Sequence, residues 1–518
     1  MTVVRYPMPP VLAAMDVHGH HAVDASAGTG KTYLIERRVV DLVLRGGAAI
    51  DEILLVTFTE KATAELRRRV RALLRELATL VEDRAAPGEP AWVLDGAARG
   101  QLRAALAGFD QAAIHTIHGF CHRVLIDSAF DGARRFRETR IGSETALREA
   151  LSDALRDRLA GSEEDGPLLE AWFGQKRTVD QLAGRLSEIG RLRGRFVQRY
   201  QPDEIARRLA ALAGADPEAT GVALKRAKVN AQTARAVVTR VGTLADLAAR
   251  AGGGLPPLLD ELAAASGSLR EYLERPQLAA VVPDLADAVR TLDEAAVPLE
   301  AAIATRFLPV VSERLAVNKA ERGQLDFGDM LEQVWRALDG PGGAELAARL
   351  RRRHPHALID EFQDTDELQW SIFRRIYLEA PPGEAHLTVV GDPKQAIYGF
   401  RGADLATYLA ARGEVLAGRE PVRLEVCYRS SERLIAGVDG ILGGNEPFFS
   451  GGIEYRPVAA APSNRAADES PLRLFDLGGF DRAEARRTAL AARISREISQ
   501  LIAGGTRPEQ IFVLTRTV

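Results

Sequence analysis

The sequence predicts an α/β fold built on a parallel sheet and interrupted by a large all-helical insertion. Three observations carry this expectation. A glycine-rich run, Asp24-Ala25-Ser26-Ala27-Gly28-Thr29-Gly30-Lys31-Thr32, joins a short apolar approach (Ala22, Val23) to an amphipathic run from Tyr33 to Leu44, in the order strand, loop, helix. Further apolar runs, Ile53 to Phe58, Ala357 to Ile359 and Leu387 to Val390, are separated by helical stretches, and strands alternating with helices make parallel sheets with crossovers. From about 126 to 320 the texture shifts to Ala/Leu/Arg/Glu helices such as Glu144 to Leu159, broken at points like Gly252-Gly253-Gly254.

A chain of 518 residues exceeds one ordinary core, so about three or four domains or subdomains are expected. The texture divides it into 1–125 and 323–440 as two parts of one sheet lobe, 126–322 as the helical insertion, and 441–518 as the start of a second lobe. That last part is Gly/Pro-rich, then helical from Arg486 to Ala503, then apolar over Ile511 to Leu514, which reads as one more strand. Hydrophobic residues make up 46% and charged residues 27%, the balance of a globular chain. The net charge of −3 rules out a global basic field, so any nucleic-acid groove needs local positive charge. Two cysteines, Cys121 and Cys427, exclude a disulfide framework and suit a reducing cytoplasm. No leader-like apolar segment opens the chain and no apolar run reaches about 18 residues, so neither secretion nor a membrane span is expected.

The glycine-rich run is built to hold a triphosphate. Glycines let the backbone close around phosphate oxygens, and the amides of Ala25, Ser26, Ala27, Gly28, Thr29 and Gly30 lead into a helix N-terminus with its positive potential. Lys31 adds a point charge at the β/γ-phosphates, and the Thr32 hydroxyl suits Mg²⁺. Only seven lysines occur among the 68 basic residues, and Lys31, Lys61 and Lys394 all fall in motifs, where an ammonium is used in preference to arginine.

Asp360-Glu361, closing an apolar strand, is the natural partner of that loop. Asp360 is expected to hold Mg²⁺ through water, and Glu361 to orient and deprotonate the attacking water. After the next strand, Gln395 can hydrogen-bond a γ-phosphate, while Tyr398 and Phe400 offer faces for stacking bases of single-stranded nucleic acid. Tyr428-Arg429 sets an aromatic for adenine beside a cation for the γ-phosphate. His118 and His122 sit four apart like helical zinc ligands near His115 and Cys121, but no second Cys/His cluster supports zinc there.

Taken together in chain order, Ala-Ser-Ala-Gly-Thr-Gly-Lys-Thr, Val-Thr-Phe-Thr-Glu-Lys-Ala-Thr-Ala-Glu-Leu (56–66), Ile-His-Thr-Ile-His-Gly-Phe-Cys (114–121), Asp-Glu-Phe-Gln-Asp-Thr (360–365), Gly-Asp-Pro-Lys-Gln-Ala-Ile-Tyr-Gly-Phe-Arg-Gly-Ala (391–403) and Cys-Tyr-Arg-Ser (427–430) resemble the motor of superfamily 1 UvrD/RecB-type DNA helicases, in the RecB/AddA branch. The resemblance implies two RecA-like P-loop NTPase lobes, ATP with Mg²⁺ between them, and single-stranded DNA across their tops. It implies a 3′→5′ helicase of DNA repair and recombination that works on duplex ends with RecC/RecD-like or AddB-like partner subunits. By the same match Thr57, Phe58, Thr116 and His118 belong to DNA-contacting motifs, and Tyr398, Phe400 and Arg401 couple the phosphate sensor Gln395 to DNA. Arg429 becomes an arginine finger and Tyr428 the adenine platform. Leu325 to Leu331 also resembles a family signature, to which no chemical role attaches at this stage.

The sequence departs from the family in several places. Ala25 stands where the loop usually opens with Gly, Met15 to His21 lacks an adenine-reading Gln, and Cys427 stands where Asn often precedes Tyr-Arg-Ser. Two further motifs of the second lobe and a nuclease constellation are not found before Val518. On that reading weak hydrolysis and unwinding by this chain alone are expected, with an ATP- and DNA-binding module lacking independent unwinding as the alternative.

Overall fold

The computed structural model describes residues 3–127, 139–159, 161–191, 196–397, 405–444, 448–449, 451–464, 472–480 and 482–515. Its centre is a six-stranded, wholly parallel sheet. In chain order the elements that build it are β1 (His21–Ala25), α1 (Lys31–Leu44), β2 (Ile53–Thr57), α2 (Glu60–Thr79), β3 (Ala113–Thr116), α3 (Ile117–Asp127), α4 (Phe327–Asp339), β4 (His356–Ile359), β5 (His386–Gly391), α5 (Leu405–Leu416) and β6 (Val422–Leu424). The spatial order is β6-β1-β5-β4-β2-β3. The chain lays down β1 and β2 first and fills the gap between them with β4 and β5, about 300 residues later.

That order explains why motifs far apart in sequence meet. Each motif follows a strand, all six strands run the same way, and so every motif emerges at the carboxyl edge, where ligands of such sheets collect. The central strands β2, β4 and β5 are buried on both faces. In β2, Ile53 and Leu55 pack into the core beneath α1 and α2, whereas Leu54 and Val56 pack into the opposite core with Phe120, Val334 and Phe373. This is the two-residue period of a strand between two helical layers. Within the first core, the fully buried Asp41 of α1 is satisfied by Arg38 Nη1 at 3.0 Å, Arg45 Nη2 at 2.7 Å and Trp92 Nε1 at 3.0 Å. These bonds fix the helix that follows the phosphate loop, since a buried carboxylate left unpaired is costly.

The insertion forms a separate core of its own, with Trp172, Leu262, Val289, Leu299 and Phe307 at its centre. The chain enters and leaves it where Thr139–Arg140 and Gln324–Leu325 pair in parallel. Helix Ser143–Ala154 passes into a π-turn at Leu155–Leu159, at the end of the stretch expected to be helical. No single helix among the described residues is long and apolar enough to cross a membrane. The one bent pair that passes by composition, Pro283–Ala295 with Leu299–Arg322, contributes Val289, Leu292, Leu299 and Phe307 to this core.

Past β6 the chain leaves the sheet, and β7 (Val426–Cys427) pairs instead with β8 (Ala459–Ala460). The strand expected over Ile511 to Leu514 is not formed: those residues pair with no described strand, and Phe512 and Leu514 are 82% and 95% exposed. An apolar run becomes a strand only where a neighbouring edge satisfies its amides.

Candidate functional site

The phosphate loop leaves β1 and closes on itself before α1. Thr29 donates its hydroxyl and its N–H to Ser26 O at 2.8 and 3.2 Å, and Gly28 and Gly30 take φ of +77° and +91°. Gly28 cannot be replaced without displacement, because an added Cβ meets Arg429 Cβ at 2.6 Å and Cys427 Sγ at 3.0 Å. The Tyr428 N–H donates to Gly28 O at 2.8 Å, so the loop is bonded directly to the Cys-Tyr-Arg segment. Tyr428 and Arg429 themselves stay exposed beside it. Cys427, in the position where Asn was noted as common, is buried with its thiol 3.6 Å from Ala27 O, a weak version of the polar contact an amide makes. Behind the loop, Arg412 of α5 grips Asp24 at 2.9 and 2.5 Å.

Opposite the loop, Asp360 extends the ladder of β4 by donating its N–H to Val56 O, and Glu361 turns into the left-handed region at φ +50°. A non-glycine residue there is strained, by about 1–3 kcal/mol. The turn aims the Glu361 carboxylate at Lys31, whose Nζ lies 2.7 Å away. The same oxygen accepts from Gln363 Nε2 at 2.7 Å, while Gln363 Oε1 accepts the Asp392 N–H at 3.0 Å. Asp392 in turn holds Gln395 Nε2 at 2.7 Å and Lys394 Nζ at 2.8 Å. Lys31, Glu361, Gln363, Asp392 and Gln395 therefore form one continuous chain of polar contacts across the ends of β1, β4 and β5. Gln363 is the member that sequence reasoning passed over. Its signal was its place inside the acidic string, but its role depends on the close approach of Gly391, where a Cβ would sit 2.9 Å from Gln363 Oε1.

Three carboxylates, Asp360, Glu361 and Asp364, face the single ammonium of Lys31. Burial first, and then the charge of Glu361, pushes both Asp360 and Asp364 up to about 6. Asp364 Oδ1 is buried without a hydrogen-bond partner. Such an excess of oxygen donors fits a hard divalent cation, and Asp360 and the half-buried Thr32 at the start of α1 are residues that could hold one. A cavity of about 240 Å³ lies beside this constellation rather than over it, lined by Asp24, Asp392, Lys394, Arg412, Arg423 and Arg456.

The residues expected to meet nucleic acid sort into two kinds. Thr57 and Thr116 are buried, and their hydroxyls bind within the protein: Thr57 Oγ1 with Thr63 Oγ1 at 2.6 Å, Thr116 Oγ1 with Glu60 Oε1 and the Gly119 N–H, both at 3.1 Å. They shape the turns that present Phe58 and His118, which are half-buried. The His118 ring lies 4.6 Å from that of Phe327, which is 37% exposed. The Leu325 to Leu331 segment thus acquires a role. Asp326 and Asp329 form a reciprocal cap on α4, Lys319 binds both at 2.8 and 2.7 Å, and Phe327 is presented beside His118. Tyr398, Phe400 and Arg401 lie outside the described residues. Among those described, His115, His118, Cys121 and His122 do not gather as a metal site, and the Cys121 thiol is fully buried.

The model of the UvrD/REP helicase N-terminal domain matches residues 11–415. The chain is 33% identical over 493 residues to the RecBCD enzyme subunit RecB of Escherichia coli (strain K12), covering 87% of this chain and 40% of that protein. It is 27% identical over 506 residues to the same subunit of Haemophilus influenzae, covering 84% and 41% of the two chains. For Mycolicibacterium smegmatis the identity is 29% over 427 residues, covering 82% and 29%. The chain spans about two-fifths or less of the length of these relatives. A match over most of its length, on motifs that one parallel sheet gathers at one edge, places this chain in the UvrD/REP helicase family.

Proposed function

We propose that this chain binds ATP with magnesium at the carboxyl edge of the sheet and couples hydrolysis to movement along single-stranded DNA. The observation that carries the reading is the polar chain from Lys31 through Glu361 and Gln363 to Asp392 and Gln395. Without nucleotide, Lys31 is occupied by Glu361 and Gln395 by Asp392. A γ-phosphate entering the loop competes for Lys31 and releases the Glu361 carboxylate, which then accepts a proton from the attacking water. Gln395 leaves Asp392 for the same phosphate, and by the family likeness Tyr398, Phe400 and Arg401 couple that change to DNA. Asp360 and Thr32 hold the magnesium, which neutralises charge on the phosphates. Arg429 approaches the γ-phosphate from the Cys-Tyr-Arg side and Tyr428 stacks on adenine, while Phe58, His118 and Phe327 offer faces to bases. Polarity 3′→5′, duplex ends as substrate, a place in repair and recombination, and companion subunits like those of the RecBCD enzyme follow from the family likeness.

The test is ATP turnover with and without single-stranded DNA in the wild type, Lys31→Ala and Phe327→Ala. DNA-stimulated turnover abolished by Lys31→Ala, with stimulation cut roughly tenfold by Phe327→Ala, supports the reading; stacking on one aromatic is worth about 1–3 kcal/mol per base. ATP binding without stimulated turnover would make the chain a nucleotide-gated DNA-binding module. Turnover indifferent to Lys31→Ala would overturn both.

A further inference from the structure

All nine histidines lie outside the helical insertion, and three of them converge at the amino edge of the sheet, opposite the phosphate loop. His356 and His386 open β4 and β5 and are register partners, so they stand side by side on one face with ring centroids 4.9 Å apart. The same strands lead directly into Asp360 and Asp392, roughly 13 Å away for the four-residue span of β4. His18 closes the group from the loop before β1, its ring 4.8 Å from that of His386 and 6.1 Å from that of His356. One ring nitrogen from each of the three lies within 4.8 Å of the others.

Packing alone does not account for this cluster. His356 is 5% exposed, yet its Nδ1 has no hydrogen-bond partner, an outcome buried polar atoms rarely show. A leucine in its place would leave nothing unpaired. Burial, and then the neighbouring imidazoles, pushes His356 down to about 3 and His386 to about 4, which keeps both in the neutral form that binds metal. Two charged groups face the cluster: Arg38, already engaged by Asp41 at 3.0 Å, and Asp16, whose carboxylate accepts the His18 N–H at 3.0 Å. His18 is exposed and leaves a route for an ion.

We propose that His18, His356 and His386 form a three-histidine site for a divalent transition metal of the zinc type, pinning the loop before β1 to the feet of β4 and β5. Imidazole nitrogens select zinc, cobalt, nickel or copper over magnesium, so the ion is chemically distinct from the one at the carboxyl edge. At present the Gly19 N–H donates to His386 Nδ1 at 2.9 Å, and His386 Nε2 lies 3.2 Å from His18 Nδ1. Metal at Nε2 requires the tautomer of His386 that carries its proton on Nδ1, which turns the Gly19 amide away, so uptake reshapes residues 16–20 with the ring remaining neutral.

The experiment is calorimetric titration of the chelator-treated chain with Zn²⁺ in excess Mg²⁺, together with the visible spectrum of the Co²⁺-loaded chain. Wild type and His18→Ala are compared, the latter at an exposed position whose loss leaves the core intact; His386→Gln serves as the second variant, with circular dichroism as the folding control. One equivalent bound, ligand-field bands of a four-coordinate Co²⁺ ion, and affinity weakened roughly tenfold or more by His18→Ala support the site. No stoichiometric uptake by the wild type, or uptake unchanged in folded His18→Ala, overturns it.

Discussion

The sheet lobe and the helical insertion bury similar apolar side chains but treat strain and charge in opposite ways. In the insertion, Lys228 takes φ +56° just past the helix Pro217–Arg226, where its N–H reaches Lys225 O and the Val229 N–H reaches Leu224 O. That is the left-handed turn by which helices commonly end, and Lys176 at φ +59° follows the helix Gly166–Gly174 in the same way. In the sheet lobe, Glu361 takes φ +50° with no such helix to end, and its carboxylate is delivered to Lys31. The insertion carries many of its charges in exposed pairs such as Arg290 with Glu294 at 3.2 Å, each worth little. The lobe buries Asp360, Asp364 and Asp392 at one edge. The same conformation also ends α5 of the lobe at Ala417, φ +47°, so at Glu361 alone among these positions it delivers a carboxylate to an ammonium, and what tells that position apart is the charge around it.

The sharpest way to break this contrast is Glu361→Gln. Losing a general base removes about 10²–10⁴ in rate, so steady-state turnover should collapse while ATP affinity is retained; unchanged turnover would reduce Glu361 to a structural residue. Next comes Phe307→Ala in the insertion, at a side chain with no exposure. A truncation of that kind costs about 3–5 kcal/mol, and the melting of the helical layer should fall while ATP affinity at low temperature stays within about twofold. A matching loss of ATP affinity would mean that the two cores are not energetically separate.

Acid should act on the lobe first. His115, facing Arg67, Arg123, His354 and Glu60, and His21, facing Arg38, Arg419 and Asp16, are both pushed to about 4, chiefly by burial. The unfolded chain binds those protons near 6.5, so the stability they represent is complete above pH 6.5 and erodes as pH falls toward 4. Hydrogen exchange at pH 7 and pH 5 should show the sheet losing protection before the insertion, which has no histidine. The smallest effect belongs to Lys228→Gly. Relief of left-handed strain, offset by glycine's greater freedom when unfolded, leaves a gain of no more than about 1 kcal/mol, readable as a slightly raised melting temperature of the helical layer.

Much of the lobe was legible in the chain itself. Strands β1, β2, β4 and β5 fall within a residue or two of their apolar runs, and the helix after the phosphate loop begins at Lys31. These signals are local: glycine spacing, two-residue alternation, an acid pair at a strand's end. The failures were long-range. Ile511 to Leu514 had the composition of a strand and lacked a partner. The motif positions of Thr57 and Thr116 stand, but no local pattern shows that their hydroxyls turn inward, where Thr63 and Glu60 fold back onto them. Phe327 looked like part of an unexplained signature until the cap at Asp326 set it against His118.

What the sequence determined alone is therefore the inventory: a glycine-rich loop, a pair of acids, a glutamine after the next strand and the α/β texture that carries them, all written within a few residues and enforced by backbone geometry. What only the tertiary structure decided is adjacency. Gln363 links Glu361 to Asp392 because β5 lies beside β4, and three histidines from positions 18, 356 and 386 meet because parallel pairing aligns strand starts as strictly as strand ends. Register is set by whole-sheet packing, a sum over many contacts distant in sequence, and no local run of residues encodes it.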